Sequence, residues 1–162
     1  MDNKPKPAVI CGISISTALG IGGLSTLLTA ENMQLYSQIH VPPLAPPSWL
    51  FPVVWTVLYL LMGISAGLIY QNRSREPDAA FTGLAYYAIS LLFNFGWSLL
   101  FFNLKSFGFA FLWLLVLLFL IVQTIRNYKP VLPLAAKLQI PYALWVTFAG
   151  YLNFAIWWLH RG

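Results

Sequence analysis

This sequence predicts an all-α integral membrane protein: a five-transmembrane-helix bundle with a long proline-rich first loop acting as a lid. Three observations predict it. Charged residues make up 8% of the chain against 59% hydrophobic and 17% aromatic, whereas a soluble domain carries roughly 25% charged residues. Apolar runs long enough to span a bilayer, about 20 residues each, recur five times and leave a mean hydropathy of +0.74. The basic residues sit mainly at the ends of those runs, as membrane topology requires. With 162 residues there is room for one domain and no second. The net charge of +5 is scattered and forms no basic patch, so the composition excludes a nucleic-acid partner.

The first span is expected over residues 9–28. Lys4 and Lys6 before an apolar run superficially resemble a secretory leader, but the run is long for one, and it reads as a retained span. Gly12, Ser16 and Gly20 recur there every fourth residue, a small-residue ridge that lets another helix approach closely. Cys11 is the single cysteine, so no intrachain disulfide can form, and its apolar setting suits a packed thiol.

The connection that follows, residues 30–47, is polar and then proline-rich. Pro42, Pro43, Pro46 and Pro47 stiffen its end, because proline fixes φ and lacks a donor. Loops this long in compact proteins are often lids or binding loops, with a passive spacer the alternative. His40 has no carboxylate or cysteine near it in sequence, so it is assigned neither metal nor base chemistry.

The second span, residues 52–70, carries Trp55, Tyr59, Met62, Ala66 and Tyr70 on one continuous helical face. Beside it Gly63 and Gly67 make a GxxxG step suited to tight packing. In the third span, residues 81–102, Ser90, Asn94, Trp97 and Phe101 share a face. Asn94 must find a partner in hydrocarbon, as an interhelical hydrogen bond or as a contact to a ligand. The fourth span, residues 107–125, is apolar all round, which reads as a lipid or partner surface. The fifth, residues 132–159, lines up Tyr142, Trp145, Ala149, Leu152 and Ile156, with Asn153 adjacent. Pro141 is expected to kink it. Trp157, Trp158 and His160 read as an interfacial belt.

Seven of the nine basic residues (Lys4, Lys6, Arg73, Arg75, Arg126, Lys129 and Lys137) fall on one side, leaving Lys105 and Arg161 opposite. The positive-inside rule therefore places the N-terminus inside and the lid outside. All four acids lie outside the expected hydrocarbon core, which argues against the buried ionisable relays of proton-driven transporters. No nucleophile–base pair, paired cavity carboxylates, phosphate loop or metal-ligand spacing is present, and the spans offer no histidine for haem iron. What remains is a set of indoles, phenols and amides on at least three helices. This suits a pocket for a flat hydrophobic molecule, although aromatic stripes at helical spacing also serve as packed core.

At these residues the chain resembles the translocator protein family, also called tryptophan-rich sensory proteins (TspO/MBR) and related to the peripheral-type benzodiazepine receptor. The family's Pro-Pro pair and V-W-x-x-L-Y-x-x-M-G pattern appear as Pro46-Pro47, Val54-Trp55, Leu58-Tyr59 and Met62-Gly63. Its third-helix pattern appears as Asn94-Phe95-Gly96-Trp97 and Phe101-Phe102. Its fifth-helix pattern appears as Pro141-Tyr142, Trp145 and Leu152-Asn153-Phe154. Three positions depart from the pattern. Val41-Pro42-Pro43-Leu44 lacks a lid tryptophan, Phe95 replaces another, and Phe154 and Trp158 stand where animal members place a sterol motif.

The resemblance implies five helices, a cavity beneath the first loop, homodimerisation and a bacterial cell membrane. It implies binding of porphyrins, chiefly protoporphyrin IX, and of benzodiazepine-type drugs, with no required cofactor and no dedicated sterol site. The ligand-binding set it implies is Pro42, Pro46, Trp55, Tyr59, Asn94, Trp97, Tyr142, Trp145, Ala149 and Leu152. Light-dependent porphyrin degradation through Trp55 and Trp145 is a second implied activity. Transport of a tetrapyrrole or lipid-like molecule is a third.

Overall fold

Prolines set where the helices begin. Pro7, Pro77 and Pro133 each open one, and Pro52 and Pro141 sit in the first turns of two more, where a missing N–H leaves no intrahelical bond unmade. The computed structural model describes residues 6–161. Every regular element among these residues is helical, with no strand among them. Helix α1 is Pro7–Thr29, and a 3₁₀ turn, Ala30–Asn32, leads to the short α2, Leu35–Gln38. Helix α3 is Leu50–Gln71 and α4 is Pro77–Ser98, the latter running into a π turn at Leu99–Asn103. Helix α5 is Phe107–Val131, α6 is Pro133–Leu138 and α7 is Ile140–Leu159.

The long helices form a closed ring. Helix α1 packs most extensively on α3, α4 on α5, and α5 on α7, while α1 touches α4 and α3 touches both α6 and α7. Met62, Ile69, Leu117, Ile121 and Tyr128 fill the interior with 0% exposure, contributed by α3 and α5. The ring's other surface is apolar as well: Leu27, Leu92, Leu112 and Leu144 are all exposed. A ring apolar on both sides is what a lipid environment selects.

The stretches Pro7–Asn32, Leu50–Gln71, Pro77–Asn103 and Phe107–Val131 are each long and apolar enough to cross a membrane. Helix α7, at 20 residues, has the length. Its tyrosines, its tryptophans and Asn153 dilute its apolar character, so the bundle has four candidate spans on this measure, where five were expected.

The sequence reading needs three corrections. The expected fifth span is two helices, because Leu132 is extended (φ −155°, ψ 106°) ahead of Pro133 and the chain turns again at Gln139. Pro141 therefore opens α7 and does not kink a longer helix. The ridge of Gly12, Ser16 and Gly20 is exposed and packs on nothing among the described residues. Helix α1 instead turns Cys11, Ile15, Ala18 and Gly22 inward. The fourth span is not featureless either, since Ala110, Leu114, Leu117, Ile121 and Tyr128 form a buried face of α5.

Contact between α1 and α3 depends on the glycines of α3. A methyl group at Gly63 would lie 2.5 Å from the Ile15 Cα, and one at Gly67 would lie 2.8 Å from the Cys11 Sγ. Backbone cannot yield to such an intrusion as a flexible side chain can. Gly63→Val is therefore expected to destabilise the bundle by about 1–3 kcal/mol, the range for overpacked interiors, seen as a lower Tm in detergent. Gly20→Ala, which meets open space, is expected to leave the Tm unchanged or slightly raised.

Candidate functional site

The aromatic face of α3 converges with faces of α1, α4 and α7 on a cavity of about 300 Å³, at the lower end of the range for small-molecule sites. Helix α3 brings Phe51, Trp55 and Tyr59, and α4 brings Asn94, Trp97 and Ser98. Phe101 and Phe102 follow from the π turn, whose wider winding places two consecutive rings at the cavity wall. Helix α7 brings Ala149, Leu152, Asn153 and Ile156, and α1 brings Leu19, Gly22, Ser25 and Thr29. Met33 and Tyr36 of the first connection cover one end. No lining residue is charged, so the cavity's selectivity rests on shape, ring faces and neutral hydrogen bonds.

Those polar groups are held by interhelical bonds. The Asn94 Nδ2 donates to the Tyr59 hydroxyl at 2.6 Å, joining α4 to α3. The Trp97 Nε1 donates to the Asn153 Oδ1 at 3.0 Å, and the Asn153 Nδ2 donates to the Phe107 carbonyl at 2.7 Å. These bonds tie α4 and α7 to the start of α5. The Tyr59 hydroxyl, already an acceptor, keeps its own proton for a ligand's acceptor.

Six of the ten site residues expected from sequence line this cavity: Trp55, Tyr59, Asn94, Trp97, Ala149 and Leu152. The other four stand behind it. Tyr142 is fully buried and meets the Trp55 ring edge-on at 6.3 Å. Trp145 lies behind Phe51, with ring centroids 5.8 Å apart, and its buried Nε1 has no hydrogen-bond partner among the described residues. Pro42 is buried within the connection, and the Pro46 carbonyl accepts a hydrogen bond from the Tyr36 hydroxyl at 3.0 Å.

Sequence reasoning missed the contribution of α1, whose Gly22, Ser25 and Thr29 share one helical face. Small polar residues at that spacing in an apolar span were the available signal. It also missed Phe51 and Tyr36, whose rings meet edge-on at 5.0 Å. Burial lifts the Tyr36 phenol above its ordinary range, which keeps it a neutral donor to Pro46. The connection is further pinned where the Tyr151 hydroxyl donates to the Pro43 carbonyl at 3.0 Å and the Asn32 Nδ2 donates to the Asn103 Oδ1 at 3.0 Å.

The sequence profile of the TspO/MBR family matches residues 13–159, which includes all four cavity-forming helices. The chain belongs to the TspO/MBR family. Among its relatives, the protein CrtK of Rhodobacter capsulatus is 37% identical over 127 residues, covering 78% of this chain and 79% of that one. The tryptophan-rich protein TspO of Chlorobaculum tepidum is 34% identical over 154 residues, covering 95% and 96%. The human translocator protein is 30% identical over 146 residues, covering 90% and 86%. Family membership and the apolar helices together make this an integral membrane protein.

Asn153 is the joint between α4, α5 and α7. Asn153→Leu removes the acceptor of Trp97 and the donor to Phe107, leaving buried polar atoms unpaired at about 1–3 kcal/mol each. The expected outcome is a clearly lowered Tm in detergent. Adding Trp97→Phe, which removes one of the orphaned groups, is expected to recover part of the loss in the double variant.

Proposed function

We propose that this protein is a membrane receptor or sensor that binds porphyrins of the protoporphyrin IX type, and related flat hydrophobic ligands, in its intramembrane aromatic cavity. The observation that carries the reading is the uncharged cavity walled by Trp55, Tyr59, Trp97, Phe101 and Phe102 from different segments. Flat aromatic ligands gain ring-on-ring contact and apolar burial against such walls. Relatives named as tryptophan-rich, translocator and sensory proteins support a small-molecule role over a purely architectural one. Binding is favoured over light-driven breakdown because only one of the two tryptophans that chemistry would use lines the cavity.

In this reading α7 is the fifth span, entered through α6, and the first connection is a lid held by Tyr36, Tyr151 and Asn32. The basic residues put the N-terminus inside and the lid outside a bacterial cell membrane. Two copies associate as a homodimer through lipid-facing helix surfaces.

Trp55→Ala is expected to weaken protoporphyrin IX by about tenfold or more, equivalent to about 1.4 kcal/mol, in titrations of tryptophan fluorescence quenching. Trp158→Ala, at an exposed ring under Arg161, is the control expected to keep the parent affinity. Equal affinities in all three proteins would contradict cavity binding.

A further inference from the structure

The cavity is not walled evenly. Five of its lining residues are exposed: Gly23, Thr26, Ser48, Pro52 and Thr56. All other lining residues are buried or half-buried. The five belong to two neighbouring segments, the last turns of α1 and the first turns of α3 together with Ser48, two residues ahead of α3. Pro52 and Thr56, four residues apart, lie along one edge of α3, with Ser48 of the first connection just ahead of it and Gly23 and Thr26 on α1.

These two helices touch at their other ends, where Gly63 meets Ile15 and Gly67 meets Cys11. Gly22 packs against the Tyr59 ring. At Gly23 a side chain would meet nothing within 4 Å. Beyond Gly22 the lining positions of both segments are exposed, and the cavity opens between them as a slit. Thr26 lies roughly 4–5 Å along the axis from the end of α1, and Thr56 roughly 9 Å from the start of α3, at 1.5 Å per residue. Both lie inside stretches apolar enough to span a membrane, so the slit opens sideways into the bilayer.

The chemistry of its edges fits an apolar passage. The Thr26 hydroxyl donates to the Gly22 carbonyl at 3.0 Å and the Thr56 hydroxyl to the Pro52 carbonyl at 2.8 Å. The threonine polar groups are thus spent on their own helices, leaving their methyl groups to line the gap. The other end is closed by the first connection, which Tyr36, Tyr151 and Asn32 fasten down.

We infer that the ligand enters and leaves this cavity laterally, from the bilayer, through the slit between α1 and α3. The occupant is therefore a membrane-partitioned flat amphiphile. This rests on the reading of the cavity as a ligand site, and the test separates the two.

Protoporphyrin IX is loaded into phosphatidylcholine vesicles carrying the full chain, and its association and dissociation are followed by stopped-flow fluorescence. Gly23→Trp, which places a ring in the open gap, is expected to slow association by about tenfold, because a narrowed passage raises the barrier to entry. Unchanged rates, or a lost affinity with unchanged association, would overturn the inference. A second measurement needs no porphyrin. Spin labels at Thr26→Cys and Thr56→Cys, in a Cys11→Ala parent, are expected to collide more with lipid-soluble oxygen than with a water-soluble nickel complex. The reverse order would also overturn it. If protoporphyrin IX fails to bind while oxygen wins the collision test, the ligand reading falls and the lateral opening stands.

Discussion

The close approach of α1 to α3 governs the rest of this molecule. In a bilayer, lipid tails compete with side chains on equal terms, so helix association relies on van der Waals packing and interhelical hydrogen bonds. Gly63 and Gly67 permit that packing by letting the α1 backbone at Ile15 and Cys11 settle directly on α3. Gly22 does the same against the Tyr59 ring. Beyond that clasp, α1, α3, α4 and α7 enclose a space beneath the first connection. The rings of α3 and α4 then face a hollow where a continuous core would otherwise form.

Polar residues keep that hollow from collapsing or twisting. Each of the pairs Asn94–Tyr59 and Trp97–Asn153 spans two helices, and Asn153 reaches a third at Phe107. In a low-dielectric interior an unpaired amide is costly, so these bonds fix helix rotation as well as position. They also decide what the cavity offers a guest. With the Asn94 and Trp97 donors committed to Tyr59 and Asn153, a guest meets ring faces, the Tyr59 proton, the Asn94 Oδ1 and the Ser25 and Ser98 hydroxyls, and no charged side chain. Behind the lining, the Trp145 indole Nε1 and the Tyr142 hydroxyl are both buried with no hydrogen-bond partner among the described residues.

Much of this was legible in the sequence, for reasons that differ between elements. The α3 face was readable because helical spacing fixes which side chains align, and Tyr59, Met62 and Ala66 are indeed interior. Tyr70 continues the same line but is 39% exposed, while its neighbour Ile69 takes the interior position. The small-residue ridge of α1 misled because glycine marks where close approach is allowed, not which neighbour takes it. Here the glycines of α3 do the accommodating and the α1 ridge faces outward. Trp145 sits on the expected face of α7, yet Phe51, which continues the Trp55–Tyr59 line one residue ahead of the expected span, meets it at the cavity wall. The break between α6 and α7 was hidden because Pro133 and Pro141 bracket it, and composition alone does not say which proline starts a helix and which bends one.

The most direct test of the central claim is a structure of the protein with protoporphyrin IX in a lipid bilayer. The account predicts ligand density in contact with Trp55, Tyr59 and Trp97, beneath Tyr36 of the first connection. Density confined to the outer groove between α5 and α7, where Phe111, Leu115 and Phe154 lie, with the interior rings closed on one another, would contradict it.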